Sequence, residues 1–475
     1  MSPEAAASGE PPGSAGATAS RGVLGRGSIY TIGTAAPILA NAAVVPFVTR
    51  LLVREYGVVA IAIVVLQVAM MAGSFGMPSV ITRQGILGGS GIPGARALVV
   101  RGSLMTAALM ATVIAAAPLW DRLVQPSLRG AVVLALAASA FFVVVENSQA
   151  LLRVLDRPVA FVSLSLTATL GGPLLGLALL TWHRSPQAYL AGLIAGYGAA
   201  AALGLVLCLR GGHRRGVRGD TRAALRMGLP VIPHLIALFL ANGALVILAG
   251  NLYGTFSAGR LQLALLVGSS PAVITSALNN SWAPIVFRTP SEQRGEVLAH
   301  TARDIATLAA LISGGVALLS PWLMLFVAGP TNRPLQLVPA VAIAAFGCVL
   351  SVAYLANGHL IFATGRPLLL SVITPLSLLA GLISAYLAGR QSLVLLAVGF
   401  PVTYLALAAG TAWLRRHVRG VAWSETRLLF PTALGLGLCA LGGVLPTSGA
   451  PALVRVAVAG LAGLGTLRLG RRVLR

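Results

Sequence analysis

One arginine stands at the head of an apolar run. The segment TFSAGRLQLALL, Thr255 to Leu266, contains Arg260 as its only ionisable side chain in a chain whose charged content is 9%. Two chemistries account for such a residue. The cation snorkels to lipid phosphate at the membrane interface, or it faces a wet cavity and holds an anionic group such as a pyrophosphate, whose oxygens suit the guanidinium fork. Arg50 and Arg54, in TRLLVREYG, occupy the matching place earlier in the chain with Glu55 beside them. An ion pair in an outer loop is the simpler reading of these two, and Arg50 is the second candidate for the anion.

Glu146, in FFVVVENSQALL, is the one acidic residue that falls clearly inside an apolar span. A carboxylate in hydrocarbon must be paired, protonated or bathed by a cavity, so its presence there marks a candidate functional group. Hydrogen bonding between helices is the competing role. With Asn147, Ser148 and Gln149 it forms a polar patch wider than one helix face. Asn41 and Asn242 offer further polar groups at membrane depth and are candidate substrate contacts. The same side chains, like Asn279, Asn280, Asn357 and His359, also serve to hydrogen-bond one helix to another.

Machinery for covalent chemistry is sparse. There is no Gly-rich loop ahead of Lys-Ser/Thr, no HExxH and no GxSxG on a strand-to-helix turn, so the chain reads as a non-enzyme that hydrolyses no nucleotide by itself and uses no cofactor. Cys208, Cys348 and Cys439 all fall in apolar spans. An odd count with no CxxC leaves neither a disulfide framework nor a metal site.

What must position these residues is an all-α membrane bundle. With 57% apolar side chains and a mean hydropathy of +0.89, the 475 residues lie outside the range of soluble domains. Apolar runs of about 20 residues recur, each long enough to cross some 30 Å of hydrocarbon as a helix. We count fourteen spans, beginning near Ser28, Val58, Ala97, Ala131, Phe161, Tyr189, Val231, Leu261, Ile305, Pro339, Leu369, Ser392, Leu429 and Pro451. The eighth and tenth carry prolines and polar residues. Pro37, Pro46, Pro271, Pro284, Pro339 and Pro375 are expected to bend their spans. With the amino terminus inside, 25 of the 34 basic residues, all arginine, fall on the inner side and 9 on the outer, Arg455 among the latter. That bias places both termini in the cytoplasm of a multi-pass cell-membrane protein. Its net charge of +23 then answers anionic lipid head groups and not nucleic acid.

The long basic segment RGGHRRGVRGDTRAALRMG, from Arg210, separates two halves of one design. LANAAVVPFVTRLLVREYG in the first faces LANGALVILAGNLYG in the second, pairing Asn41 with Asn242. MPSVITR and APIVFR pair Arg83 with Arg288, and LLRVLDRP and LIFATGRP pair Arg157 with Arg366. Six spans per half make the repeats parallel, an arrangement of transporters whose halves rock around a central cavity. The expected organisation is a disordered cytoplasmic tail over 1–27, a six-helix bundle over 28–209, a basic linker over 210–228, a second bundle over 229–414, a basic loop over 415–427, and two extra helices with a basic terminus over 428–475.

The stretch GSIYTIGTAAPILANAAVVPFVTRLLVREYGVVAIAIVVLQVAMMAGSFGMPSVITRQG resembles the amino-terminal signature of bacterial O-antigen-type polysaccharide flippases of the multidrug/oligosaccharidyl-lipid/polysaccharide exporter superfamily. ATGRP after the tenth span is similar to the same family. SAGRLQL looks like the Ala-x-Arg-Leu element that opens span eight of the related lipid II flippases, in which that arginine contacts the substrate head group. The further first- and second-span arginines of lipid II flippases have no clear match here, which points to a different lipid-linked oligosaccharide. The resemblance implies flipping of a polyprenyl-pyrophosphate-linked glycan by alternating access, with a polysaccharide polymerase and glycosyltransferases as partners. A multidrug antiporter of the same superfamily is the alternative, and a membrane glycan ligase or polymerase a further one.

Overall fold

The computed structural model describes residues 43–210, 219–364, 367–418 and 421–473. These residues form helices joined by short turns, and no strand occurs among them. In chain order the helices are α1 over 43–51, α2 Tyr56–Gly73, α3 Met77–Leu87, α4 Gly91–Ala115, α5 Ala117–Trp120, α6 Arg129–Val154, α7 Pro158–Trp182 and α8 Pro186–Leu209. They continue with α9 Gly219–Gly228, α10 Ile232–Tyr253, α11 Thr255–Gly268, α12 Pro271–Arg288, α13 Ser291–Ala328, α14 Val338–Ala363, α15 Leu370–Gly389, α16 Gly399–His417, α17 Leu429–Val444 and α18 Ala450–Val473.

Twelve helices among the described residues are long and apolar enough to cross a bilayer, and the pair α11–α12, bent by 48°, brings the number to thirteen if it is counted as one broken span. The chain is an all-α, multi-pass membrane protein. The expected span from Ser28 lies outside the described residues except for 43–51, so the structure leaves the count of fourteen open at that end.

Proline explains the bend and a second irregularity. Pro271 has no N–H for the Val267 carbonyl, and the Ser270 hydroxyl donates to that oxygen instead at 2.8 Å. In α13, Pro321 leaves the Ala317 carbonyl free, and Ser320 Oγ donates to it at 2.7 Å. Pro284 and Pro375 lie inside α12 and α15, whereas Pro339 sits in the first turn of α14, where a missing N–H costs nothing. Pro46 falls within α1, and Pro37 lies outside the described residues.

The first half packs around α6, which meets α2, α3, α4, α7 and α8. Helices α7 and α8 approach backbone to backbone, because a Cβ at Gly192 would overlap Gly176 N and one at Gly196 would overlap the Gly172 backbone. This is the small-xxx-small solution to helix packing in lipid, where burial supplies little drive. In the second half α14 is the most enclosed span, surrounded by α11, α12, α13, α16 and α17. Helix α2 crosses between the halves onto both α10 and α11.

Three features differ from the sequence expectation. The end of the basic linker is not loop but helix α9, which docks on α3 and α4; Arg101 Nη1 donates to Thr221 Oγ1 at 3.0 Å. Helix α13 has 38 residues, about 57 Å at 1.5 Å per residue, so it outruns the hydrocarbon and carries Glu292, Arg294, Glu296, His300, Arg303 and Asp304 at one end. Arg455, counted among the basic residues of the outer side, is not at an exposed interface but fully buried in α18. Its guanidinium donates to Leu318 O at 3.1 Å, to Pro446 O at 3.2 Å and to Leu445 O, which clips α18 to α13 and to the end of α17.

Candidate functional site

Helix α11 begins where Gly254 turns the chain at φ 82°, ψ 166°, a conformation that a side chain disfavours. Its first turns then meet the start of α2 through paired glycines. A Cβ at Gly57 would overlap the Thr255 carbonyl, and one at Gly259 would lie 2.8 Å from Gly57 N. The two backbones touch directly, and Arg260, the next residue, is fixed at the seam between the halves.

There Arg260 is half-buried and reaches the connection between α13 and α14. Its Nε donates to Asn332 O at 3.0 Å, and its Nη2 to Gln336 Oε1 at 2.8 Å and to Arg333 O at 3.5 Å. The guanidinium also lies 6.0 Å from the centre of the Phe256 ring, one turn back. Asn332 in turn donates from Nδ2 to Ala328 O at 2.6 Å, which ties this connection to the last turn of α13.

Arg50 arrives at the other side of the same connection. Its Nη1 donates to Pro46 O at 2.5 Å and its Nη2 to Phe326 O at 2.9 Å, while the Thr49 hydroxyl donates to Val327 O at 2.9 Å. A cation on the final carbonyls of α13 also suits the negative end of that helix. The expected pairing of Arg50 or Arg54 with Glu55 is not formed among the described residues; Arg50 donates instead to Pro46 O of α1 and Phe326 O of α13. Neither Arg50 nor Arg260 has a carboxylate in ion-pair reach among the described residues. Both charges are held by neutral acceptors, and Arg260 Nη1 donates to no described group.

Glu146 belongs elsewhere. It lies half-buried in α6, seventeen residues past Arg129, which is about 25 Å along the axis. The start of α6 is level with the end of α10, since Gln125 Nε2 reaches Gly250 O at 3.5 Å. The carboxylate therefore sits far from the arginine pair and deep in the first half. It has no hydrogen-bond or ion-pair partner among the described residues and feels the field of Arg153, two turns further on the same face. The adjoining Asn147 is fully buried with both amide atoms unpartnered, while Gln149 donates to Ser165 Oγ at 2.9 Å.

Asn242 sits mid-way along α10, beside Gly243, whose added Cβ would stand 2.9 Å from Val64 of α2. Its Oδ1 is buried without a partner among the described residues, close to the contact between halves. Asn41 lies outside the described residues, as does the side chain of Asn280. The structure thus sets Arg260 and Arg50 on one segment of the second half, the last turn of α13 and the connection that follows it, and leaves Glu146 and Asn242 in separate surroundings. Gln336, Asn332 and Phe256, which orient Arg260, carry no sequence signal of that role. Of the glycines that seat it, Gly57 and Gly254 close the two matched stretches as Tyr-Gly pairs, Tyr56-Gly57 and Tyr253-Gly254, whereas Gly259 carried no such signal.

No family model matches the sequence, and no curated protein matches it. Solved structures do share its fold. A lipid II flippase, MurJ, in an inward closed conformation superposes with a TM-score of 0.70 at 12% identity, covering 94% of this chain and 99% of that one. The Vibrio cholerae MATE transporter VcmN gives 0.55 at 14% identity over 87% and 99% of the two chains. An inward-facing multidrug resistance MATE family transporter of the MOP superfamily gives 0.55 at 16% identity over 81% and 94%.

Proposed function

We propose that this chain flips a polyprenyl-pyrophosphate-linked oligosaccharide from the cytoplasmic to the outer leaflet by alternating access, with Arg260 as the principal contact to the pyrophosphate. The observation that carries this reading is the pair of guanidinium groups, Arg260 and Arg50, at the seam between halves with only neutral acceptors around them. Their charge is oriented but not cancelled, and a diphosphate offers oxygens that displace backbone carbonyls at little cost while supplying the missing counter-charge. Helix α2, which touches both α10 and α11, is the element about which the halves would rock. Asn242 would line the path, and Asn41 with it.

The fold likeness to a lipid II flippase extends over more of the chain than the likeness to multidrug transporters, by a margin comparable to the α17–α18 hairpin. In this reading the hairpin serves the lipid-linked cargo, the arginine-rich end faces the cytoplasm, and a glycan polymerase and glycosyltransferases act before and after.

The test is made in the source cell. Depletion of the protein should accumulate a lipid-linked glycan on the inner leaflet, identified by mass analysis, and Arg260→Ala should reproduce that accumulation at normal protein level while Arg260→Lys partly restores export. Resistance to cationic drugs on expression, with no glycan accumulating on depletion, would transfer the chain to the multidrug reading.

A further inference from the structure

A cavity of about 320 Å³ opens among α10, α12 and α14, near the arginine-rich end of the second half. Its lining includes His234, Asn279, Phe287, Tyr354, His359 and Phe362. Two acceptor-capable atoms of these side chains, Asn279 Oδ1 and His359 Nε2, are buried with no partner among the described residues. His359 is only 6% exposed, and its ring stands edge-on to Trp282 at 4.8 Å and to Phe287 at 6.0 Å. His234 is already engaged, with Nδ1 2.7 Å from Thr374 Oγ1 and Nε2 3.4 Å from the Tyr354 hydroxyl. It forms a braced polar wall.

Chemistry narrows the occupant. Among the described lining residues there is no carboxylate and no arginine, so neither a cation nor an anion finds a counter-charge among them. A wholly apolar group would fill the space but leave Asn279 and His359 unsatisfied. The volume lies at the small end of ligand pockets, which are mainly apolar and aromatic with a few placed polar groups. What fits is a neutral six-membered ring that shows C–H faces to aromatic side chains and hydroxyl or amide N–H donors at its rim.

We infer that this cavity is a subsite for one neutral sugar ring of the cargo's head group, entered from the side on which the glycan is assembled, with the side chains of Asn279 and His359, whose unpartnered acceptor atoms are covered in this structure, turning into it to accept its hydrogen bonds. This rests on the flippase reading for the identity of the cargo, but not for the binding itself. Trp282, whose Nε1 donates to Thr301 Oγ1 at 2.8 Å, sits beside His359 as a built-in reporter.

The experiment titrates the purified full-length protein with N-acetylglucosamine and with glucose while tryptophan emission is recorded. Expected is a saturable change for at least one of them that disappears in Trp282→Phe. Asn279→Leu should weaken the apparent affinity at least tenfold. Ala283→Leu, which fills the cavity and removes no polar group, should do the same with an unchanged thermal midpoint. No saturable change with either sugar, or unaltered binding in both Asn279→Leu and Ala283→Leu, would overturn the inference, and ordered water would then be the occupant. Sugar binding in a protein whose depletion accumulates no lipid-linked glycan would keep the subsite and remove the flippase reading. Normal glycan export together with no sugar binding would do the reverse.

Discussion

The seam between the halves depends on backbone contact, which makes one methyl group a measurable lever. At Gly259 an added Cβ would stand 2.8 Å from Gly57 N and 2.9 Å from Gly57 Cα, atoms that no rotamer change can move aside. Restoring an ordinary separation of about 3.5 Å requires α11 to back away from α2 by roughly 0.6 Å. Overpacking of this kind costs about 1–3 kcal/mol, and the helix preference of alanine over glycine cancels because α11 is helical in both states compared. That cost stands against the state in which α2 and α11 touch. At 1.4 kcal/mol per tenfold, Gly259→Ala should lower the population of that state about 5–150-fold relative to one with α11 withdrawn. Gly57→Ala should do more, because its Cβ would overlap the Thr255 carbonyl outright. Spin labels at Glu55→Cys and Arg333→Cys, both exposed, report the separation by pulsed dipolar spectroscopy, and the three native cysteines are buried and free of label. Distances should lengthen from the glycine parent to Gly259→Ala to Gly57→Ala. Identical distributions in all three would refute the idea that glycine contact sets the conformation.

Two further outcomes follow from single side chains. Arg455→Met removes the donor to three backbone carbonyls, of which that of Leu318 is buried, and the loss should be about 2–4 kcal/mol; amide exchange should rise across α17 and α18, and unchanged exchange would mean that the clip is dispensable. Glu146→Gln keeps the shape of a carboxylate that has no described partner but removes its titration. Glycan export by this variant should lose whatever dependence on pH the parent shows between mildly acidic and mildly alkaline conditions, whereas a retained profile would make Glu146 a packing residue.

Much of the architecture was legible because a bilayer reduces the folding problem to length and hydropathy. Spans beginning near Val58, Ala131 or Pro339 reappear as α2–α3, α6 and α14, since only an internally hydrogen-bonded helix survives in hydrocarbon. The polar, proline-bearing eighth span is the one that breaks, at Ser269, Ser270 and Pro271. Tertiary partnership was not legible. Arg260 meets Gln336, distant in sequence, and no local pattern announces which carbonyls a guanidinium will find. Arg455 was counted on the outer side because charge usually marks an interface, yet it is completely buried, with three carbonyls after α17 and in α13 accepting from it. Arg50 was read through its neighbour Glu55, but the exposed end of α13 competes better. The repeat of Tyr-Gly pairs hinted at the seam without showing that Gly57 and Gly259 would touch.

The most direct measurement uses purified protein in liposomes loaded with a short-chain polyprenyl-pyrophosphate-linked sugar, with the fraction that crosses to the opposite leaflet followed over time. The account predicts transfer by the parent protein, little above protein-free vesicles for Arg260→Ala, and an intermediate rate for Arg260→Lys. Transfer by Arg260→Ala at the parental rate would contradict it.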